Sequence, residues 1–312
     1  MSSIKNCEIA GYGTYLANNI VHFGEATRYR IEDGVSHLDM LSIAGNLALE
    51  NAGLEPEQLD CIMVATAVAV QPLPSTAALL QEQIAPDAAA AALDVNTSCT
   101  SFITALDIAS RYIHDGQYER ILVASGDVAS RFLNRAQRES YELFSDASAA
   151  FVVSRTQDEA RGVLSSLQRT WPRHAHDTEV RGGLTGFPPE FHDAHPEEYL
   201  FDMKGKAALI GMMKVLPGFF DDFYKRSGLG IDDFKLVIPH QASPALELAM
   251  RKLGIPESKY ANHVQEYGNM VSASVPYTLA CKLDEGVLSQ GDTVLLCGTA
   301  AGLTVNALAL RL

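Results

Sequence analysis

The chain has 312 residues, of which 47% are hydrophobic and 20% are charged, a composition that excludes a disordered, collagen-like or disulfide-scaffold protein. Its 24 basic and 38 acidic residues leave a net charge of −14, which argues against nucleic acid as a partner because a phosphate backbone requires basic side chains. The five cysteines are widely spaced and form no C-x-x-C pair, so we expect a reducing compartment and no zinc site.

Targeting and membrane signals are not evident in the sequence. Residues 1–13 contain no apolar stretch of the secretory type, and the apolar segment 61–81 includes Pro72 and Pro74. Prolines at these positions would break a membrane-spanning helix and leave backbone groups unpaired in lipid. We therefore expect no transmembrane segment and a cytoplasmic location.

The first half of the chain predicts alternating helices and strands. A helix should begin after Ser36, because Ser36 and Asp39 form a capping-box pattern, and should end at Gly53. Apolar runs too short for helices predict buried strands at 61–65 and 121–124. A helix is expected between these two strands, beginning after Cys99 in the segment NTSCTSF, with Phe102, Ile103 and Leu106 on its apolar face.

The second half repeats this plan. GLGIDDFKLVIPHQ from Gly228 matches GLEPEQLDCIMVAT from Gly53 at an offset of 175 residues. Buried strands are predicted at 236–238 and 294–297, and the helix before Gly228 should be kinked by Pro217. The repeat predicts an α/β protein built from two similar halves.

The domain boundaries follow from this repeat. We expect an N-terminal half at 1–158, a connector and surface insertion at 159–204, and a C-terminal half at 205–312. The connector contains four histidines, but suitably spaced Cys or acidic ligands are missing, so we expect a solvated loop and no metal site. These histidines are His174, His176, His192 and His195.

Cys99 is the first candidate for a chemical role. It follows a predicted strand ending near Val95 and precedes a helix with an apolar face. A helix N-terminus favours the thiolate, which is the nucleophilic form of cysteine. A buried structural thiol is an equally good interpretation of this position alone.

His240 and Asn269 are candidates of the same kind in the second half. His240 follows the strand 236–238, at the sheet edge where α/β proteins bind ligands, although a capping histidine would be commoner. Asn269, in EYGNMVSAS, is predicted to occupy the place that Cys99 has in the first half, although a tight turn is the simpler explanation of a Gly-Asn pair. The pseudo-symmetry would bring the three residues together.

Several short segments, spread over nearly the whole chain, together form a pattern that is typical of a known family. They are PSTAA from Pro74, NTSCTSF around Cys99, SGDVASR from Ser125, LFSDASAA from Leu143, PHQAS from Pro239, YGNMVSASVP from Tyr267 and GTAAGLT from Gly298. Together they resemble the thiolase-fold condensing enzymes, and most closely the β-ketoacyl-ACP synthase III branch. The resemblance implies a thiolase-like fold with a layered αβαβα core.

The resemblance also implies the site residues. Cys99, His240 and Asn269 would form a Cys-His-Asn triad, and the backbone N–H groups of Cys99 and Ala301 would form an oxyanion hole. Substrate contacts are expected from Arg138, Leu73 and Leu209. No resident metal or cofactor is implied, because coenzyme A or phosphopantetheine thioesters are the substrates.

Two departures from the family pattern bear on the substrates. Alanines stand at positions 300 and 301, where the family has glycines, which leaves the backbone N–H groups in place. The family's tryptophan-bearing coenzyme A motif is missing between Ala17 and His37. We therefore expect acyl carrier protein to deliver at least the second substrate, docking on local basic patches such as Arg131, Arg135 and Lys214, with acyl-CoA as the other candidate donor. A homodimer is expected, with Leu73 reaching toward the partner.

The leading hypothesis is decarboxylative Claisen condensation of a Cys99-bound acyl group with a malonyl thioester, in fatty acid, polyketide or related biosynthesis. One alternative is acyl transfer to an alcohol, amine or thiol without formation of a carbon–carbon bond. Another is condensation of the type III polyketide synthase kind. A non-catalytic partner subunit is disfavoured because it would have no need of the three residues together.

Overall fold

The computed structural model describes residues 4–312. Its strands are β1 (Lys5–Asn6), β2 (Glu8–Leu16), β3 (Asn19–Phe23), β4 (Ala26–Arg30), β5 (Cys61–Ala65), β6 (Ala91–Val95), β7 (Arg120–Asp127), β8 (Ala147–Ser154), β9 (Gly162–Thr170), β10 (Thr178–Glu179), β11 (Asp202–Met203), β12 (Leu236–Pro239), β13 (Thr293–Ala300) and β14 (Thr304–Arg311). Its α-helices are α1 (His37–Ala52), α2 (Thr76–Ile84), α3 (Ser101–His114), α4 (Arg138–Tyr141), α5 (Gly205–Ser227), α6 (Leu246–Lys252) and α7 (Ser274–Asp284).

Two five-stranded sheets have matching topologies. The first has the order β2-β8-β7-β5-β6 and the second has the order β1-β9-β14-β13-β12. In each sheet a parallel pair, β5 with β7 or β12 with β13, is followed by two antiparallel strands, β8 and β2 or β14 and β9. The fifth strand differs, since β6 pairs parallel with β5 whereas β1 pairs antiparallel with β9. The two predicted pseudo-symmetric halves are therefore confirmed.

The helices and sheets stack in five layers. Helices α1 and α2 cover the outer face of the first sheet, and α5 and α6 cover the outer face of the second. Helices α3 and α7 lie between the sheets in the central hydrophobic cluster. Strand β5 is buried at every position, as a strand covered on both faces must be. This arrangement is the expected αβαβα core.

Local signals in the sequence correctly located the ends of the outer helices. The Ser36 hydroxyl accepts a hydrogen bond from the Asp39 N–H at 3.1 Å, and the Asp39 carboxylate accepts one from the Ser36 N–H at 2.8 Å. Gly53 and Gly228 end α1 and α5 with φ angles of 64° and 72°. Helix α5 continues as one α-helix across Pro217.

The connector is shorter than the predicted 159–204. Strand β9 (Gly162–Thr170) lies inside the second sheet, between β1 and β14, so only the residues after it connect the halves. Its sequence, GVLSSLQRT, has no unbroken apolar run because several of its side chains are polar, and the strand therefore gave no sequence signal. Strand β1 also crosses to the second sheet, where it pairs with β9.

The rest of the connector is an ordered segment. Strands β10 and β11 pair antiparallel, and Arg181 makes ion pairs with three carboxylates around them. These carboxylates belong to Glu179, Glu198 and Asp202. Each of the four connector histidines lies beside an acidic residue; in one pair, His174 Nδ1 is 2.8 Å from the Asp177 carboxylate. Among residues 4–312, no helix is both long enough and apolar enough to cross a membrane.

Candidate active site

A cavity of about 460 Å³ opens where the carboxyl ends of strands from both sheets meet. Cys99, His240 and Asn269 all line it, so the structure brings the three sequence-predicted residues to one site. The connector contributes a wall through Thr178, Glu179, Val180, Phe201 and Met203.

Cys99 lies in a loop whose shape is set before helix α3 begins. Ser98 has a φ of 52°, and its N–H donates to the Asn96 side-chain oxygen at 2.9 Å. The Thr97 N–H donates to the Ser101 hydroxyl at 2.9 Å. These bonds hold Cys99 against the cavity. The backbone N–H groups of Cys99 and Ala301 lie close enough to its sulfur to lower the pKa of the thiol.

The protonation state of Cys99 differs from the expected thiolate. Burial, and to a lesser extent the negative charge of Asp127, raises the pKa of the thiol to about 12, although the backbone N–H groups of Cys99 and Ala301 act in the opposite direction. Desolvation outweighs the helix N-terminus, although Cys99 is only partly buried and faces the cavity. The helix N-terminus, which favours the thiolate, is therefore not sufficient to ionise this thiol, and the thiol needs a base.

The turn between β13 and β14 presents the Ala301 N–H. Only Gly302 in this turn has a positive φ, at 128°, whereas Ala300 and Ala301 have conformations that an alanine adopts without strain. Alanines at these positions are therefore compatible with a backbone oxyanion hole.

His240 is the candidate base for the Cys99 thiol. It is 3% exposed, and burial lowers its pKa to about 4, so its imidazole is neutral at neutral pH. Its backbone N–H donates to the Cys297 carbonyl at 2.8 Å. Nδ1 is buried without a hydrogen-bond partner among the described residues, whereas Nε2 retains access to the cavity. A side chain at Gly298 would come within 2.7 Å of the His240 Cβ, so the histidine requires a glycine beside it.

The Asn269 amide has a defined orientation. Its Oδ1 accepts from the Val271 N–H at 2.8 Å, so the other amide atom is the donor nitrogen. Nδ2 donates to the Ala242 carbonyl at 3.0 Å, which leaves its second N–H for a ligand in the cavity. Val271 has a φ of 50°, an uncommon conformation for a β-branched residue.

The structure corrects the predicted equivalence of Asn269 and Cys99. Asn96 makes the same bonds in the first half that Asn269 makes in the second: Asn96 Oδ1 accepts from Ser98 N, and Nδ2 donates to the Ala67 carbonyl at 3.0 Å. The Met270 N–H donates to the Ser274 hydroxyl as Thr97 does to Ser101. Asn269 is therefore the mate of Asn96.

It follows that Cys99 corresponds to Ser272, which is three residues after Asn269 as Cys99 is three after Asn96. The error arose because a motif-by-motif comparison aligned two chemically active residues. The hydrogen bonds align the backbones instead.

The expected substrate contacts are only partly at the cavity. Leu209 lines it, on helix α5. Leu73 is 83% exposed on the loop before α2 and does not line it. The Arg138 side chain is 85% exposed and forms an ion pair with Glu142 at 2.6 Å, and its neighbour Glu139 lines the cavity instead.

Asp127 is a cavity residue that sequence reasoning missed. It ends strand β7, is 2% exposed and lines the same cavity as Cys99. The signal was present, since SGD places an acidic residue at the carboxyl end of a buried strand, where Ala300 stands in the second copy.

Comparisons with known proteins agree with this geometry. Two family descriptions match the chain: 3-oxoacyl-[acyl-carrier-protein (ACP)] synthase III at residues 93–171, and the C-terminal part of the same synthase at 224–312. The first match contains Cys99, and the second contains His240 and Asn269.

Individual relatives align over most of their length. The β-ketoacyl-[acyl-carrier-protein] synthase III of Geobacillus kaustophilus is 31% identical over 280 residues, which cover 89% of this chain and 84% of the relative. The synthase of the same name from Clostridium perfringens strain 13 is 30% identical, with coverage of 99% and 100%. The crystal structure of 3-oxoacyl-[acyl-carrier-protein] synthase III from Aquifex aeolicus superposes with a TM-score of 0.87 at 27% identity, over 98% of this chain and 100% of that one.

Proposed function

This chain belongs to the β-ketoacyl-[acyl-carrier-protein] synthase III family of condensing acyltransferases, and we propose that Cys99, His240 and Asn269 carry out a decarboxylative condensation in its cavity. One observation supports this most directly. A thiol with two nearby backbone N–H groups, a neutral imidazole and an oriented amide all line one cavity. These are the groups that acyl transfer and enolate stabilisation require.

The first step is acylation of Cys99. Nε2 of neutral His240 takes the thiol proton as the sulfur attacks the carbonyl carbon of the donor thioester. The N–H groups of Cys99 and Ala301 stabilise the oxyanion. The carbon–sulfur bond of the donor breaks, and the departing thiolate takes the proton back from His240. A thioester is thereby exchanged for another thioester, and His240 is neutral again.

The second step is decarboxylation and condensation. A malonyl thioester loses carbon dioxide, and the electron pair of the broken carbon–carbon bond forms an enolate. For this step the neutral His240 ring changes tautomer, so that its single proton moves from Nδ1 to Nε2. This Nε2–H and the free N–H of Asn269 donate hydrogen bonds to the enolate oxygen. The enolate carbon attacks the acyl carbon on Cys99, and the released sulfur takes up one proton to restore the thiol.

Acyl carrier protein is the proposed carrier of the malonyl group, as the names of the relatives suggest. The chain carries a net charge of −14, so an acidic carrier must meet a local basic surface. Arg131, Arg135, Lys206 and Lys214 are exposed near the elements that line the cavity. We expect kcat/KM to be higher for malonyl carrier protein than for malonyl-CoA, and to fall with salt and with Lys214→Glu. Equal values for both carriers without salt dependence contradict this docking.

We also propose a homodimer in the cytoplasm. Leu73 is 83% exposed and Val68 is 37% exposed on the loop between β5 and α2, and an interface would remove these apolar side chains from water. All five cysteines are free thiols, which suits a reducing compartment. Sedimentation at micromolar concentration should give twice the mass of the chain, and a monomer contradicts the proposal.

Intact-protein mass spectrometry tests the proposed chemistry. The protein is incubated with acyl-CoA and acyl carrier protein donors of several chain lengths, and then with a malonyl thioester. We expect a single acyl adduct on the Cys99 peptide, followed by carbon dioxide and a β-ketoacyl product. An adduct that passes to an alcohol, amine or thiol without release of carbon dioxide would favour simple acyl transfer instead. A β-ketoacyl product extended more than once would favour a type III polyketide synthase-like reaction.

A further inference from the structure

The cavity wall contains a buried carboxylate that the triad does not use. Asp127 lies at the end of strand β7, 2% exposed, and lines the same cavity as Cys99. Its negative charge is one of the influences that Cys99 experiences. A charge in this position needs partners, because an unpaired buried charge would be costly.

Hydrogen bonds from both halves of the molecule hold Asp127. Oδ1 accepts from the Thr66 hydroxyl at 2.7 Å and from the N–H groups of Ala67 and Val68 at 3.0 Å each. Oδ2 accepts from the Ser272 hydroxyl at 2.5 Å, from its N–H at 3.2 Å and from the Ala67 N–H at 3.3 Å. The oxygens of this carboxylate are occupied by donors, so it is unsuited to act as a general base.

The contact with Ser272 continues into the core. Ser272 and Ser125 are both fully buried, with their hydroxyl oxygens 3.1 Å apart, and the Ser125 hydroxyl donates to the Ala65 carbonyl at 2.6 Å. Asp127 therefore takes part in a hydrogen-bond network that joins the two halves, beside the loop at residues 96–101 that contains Cys99. Its position relative to Cys99 is fixed by the fold.

No basic side chain offsets this charge at the cavity. Among the described residues that line it there are three carboxylates, those of Asp127, Glu139 and Glu179, but neither lysine nor arginine. Glu179 is paired with Arg181 and His176. His240 is neutral near neutral pH because burial lowers its pKa to about 4. The surroundings of Cys99 therefore disfavour an anionic sulfur.

We propose that Asp127 is a positioning residue: the charge of its carboxylate adds to the effect of burial in keeping Cys99 in the thiol form until His240 removes the proton during acylation. The inference rests on the proposed function for the acylation step alone. The proton leaves Cys99 for Nε2 of His240 as the sulfur–carbon bond forms, and it passes to the departing thiolate as the donor bond breaks. A thiol that ionises only with substrate present is protected from oxidation and alkylation, both of which act on the thiolate.

The test measures alkylation of Cys99 by iodoacetamide between about pH 6 and pH 10, because iodoacetamide reacts with thiolates. The adduct is quantified on the Cys99 peptide in the wild type, Asp127→Asn and Ser272→Ala. In the wild type the rate should rise through the whole range without a plateau. Asp127→Asn removes the charge and keeps the shape, so the thiolate becomes easier to form and alkylation near pH 8 should be about tenfold faster.

Ser272→Ala is the matched control, since it removes a hydrogen bond to Asp127 but leaves the charge in place. Its alkylation profile should stay within about twofold of the wild type. A structural role alone would shift both variants alike, and that result overturns the proposal, as does an Asp127→Asn profile equal to the wild type. A wild-type plateau with a midpoint below about pH 8 overturns it even where Asp127→Asn does not fold.

Alkylation needs no substrate, so the proposed function is tested separately. Acyl adduct formation and carbon dioxide release are measured on the same samples. A wild type that forms no acyl adduct and releases no carbon dioxide, while the alkylation profiles differ as expected, contradicts the proposed function and leaves the role of Asp127 standing.

Discussion

The loop at residues 96–101 and the loop at residues 269–274 are built by the same hydrogen bonds but have different chemistry. Each begins with an asparagine whose side chain accepts a backbone N–H two residues later and donates to an alanine carbonyl. Each contains a non-glycine residue with a φ near 50°, Ser98 or Val271. The backbone geometry that presents Cys99 is therefore a property of the repeated scaffold and does not by itself create a nucleophile.

The chemical difference between the two loops comes from neighbouring positions at which the two halves have different residues. His240 in the second half stands where the first has Ala65, and Gly298, which makes room for the histidine, stands where the first has Ser125. Asp127 stands opposite Ala300. Cys99, His240 and Ala300 line the cavity, whereas at the equivalent place the side chains of Ser125, Ser272 and Asp127 are hydrogen-bonded to one another.

The largest expected effect separates Cys99 from its mate Ser272. Cys99→Ala should abolish the covalent acyl adduct and lower condensation by at least about a thousandfold, because no other group at the cavity replaces the nucleophile. Ser272→Ala should retain acylation within about tenfold. Both are measured by mass spectrometry and single-turnover kinetics. Equal losses in the two variants would mean that the loops are not chemically distinct.

The next largest effect concerns Asn269. Asn269→Ala removes one donor to the enolate, so release of carbon dioxide from the malonyl thioester should slow by about a hundredfold. Acylation of Cys99 should slow much less, since the proposed oxyanion donors are the N–H groups of Cys99 and Ala301. Asn269→Asp is the matched control, because it keeps the acceptor for the Val271 N–H and lacks the donor. Normal decarboxylation in either variant contradicts the assignment.

The comparison of the loops also shows what the sequence could predict. Short apolar runs, helix caps and a repeated layout predicted both sheets, since burial on both faces of a strand leaves a clear apolar pattern. Strand β9 was missed because polar side chains interrupt its pattern. The motifs were sufficient to propose Cys99, His240 and Asn269, but they did not predict the burial or the hydrogen-bond partners of these residues.

The missing information concerns burial and pairing in three dimensions. Cys99 at a helix N-terminus predicted a thiolate, whereas burial raises the pKa of that thiol to about 12. Asp127 was overlooked because its partners, Thr66 and Ser272, are distant in sequence. The connector was expected to be a solvated loop, yet Phe201 and Met203 line the cavity.

A smaller effect tests whether His240 is neutral. Its counterpart in the first half, Ala65, has no titratable side chain. Because burial lowers the pKa of His240 to about 4, the base form persists below the pKa of an ordinary histidine. Acylation at about pH 5.5 should be roughly tenfold faster than an unperturbed histidine of pKa about 6.5 would allow. The acid limb of kcat/KM for acylation is the measurement. A limb centred near pH 6.5 contradicts the shift.

The same shift has a consequence for stability. A histidine whose pKa is lowered in the folded state binds its proton more readily when unfolded. The stability that it contributes is complete above about pH 6.5 and is lost as the pH falls toward about 4. The difference in unfolding free energy between wild type and His240→Gln should therefore shrink over that range. A constant difference would show that His240 titrates normally.

The smallest effect should come from Asn96, which is exposed and holds the nucleophile loop as Asn269 holds the other. Asn96→Ala removes the acceptor for the Ser98 N–H and the donor to the Ala67 carbonyl, so it should lower stability by about 1 kcal/mol. Because it moves Cys99 and not Asn269, acylation should slow by only a few-fold and decarboxylation of the malonyl thioester should stay unchanged. This pattern is the reverse of that expected for Asn269→Ala. Asn96→Asp keeps the acceptor for Ser98 and should restore most of the acylation rate, which chemical denaturation and single-turnover acylation together can measure. If Asn96→Ala slowed decarboxylation as much as acylation, the two loops would act as one unit and their separate roles would have to be abandoned.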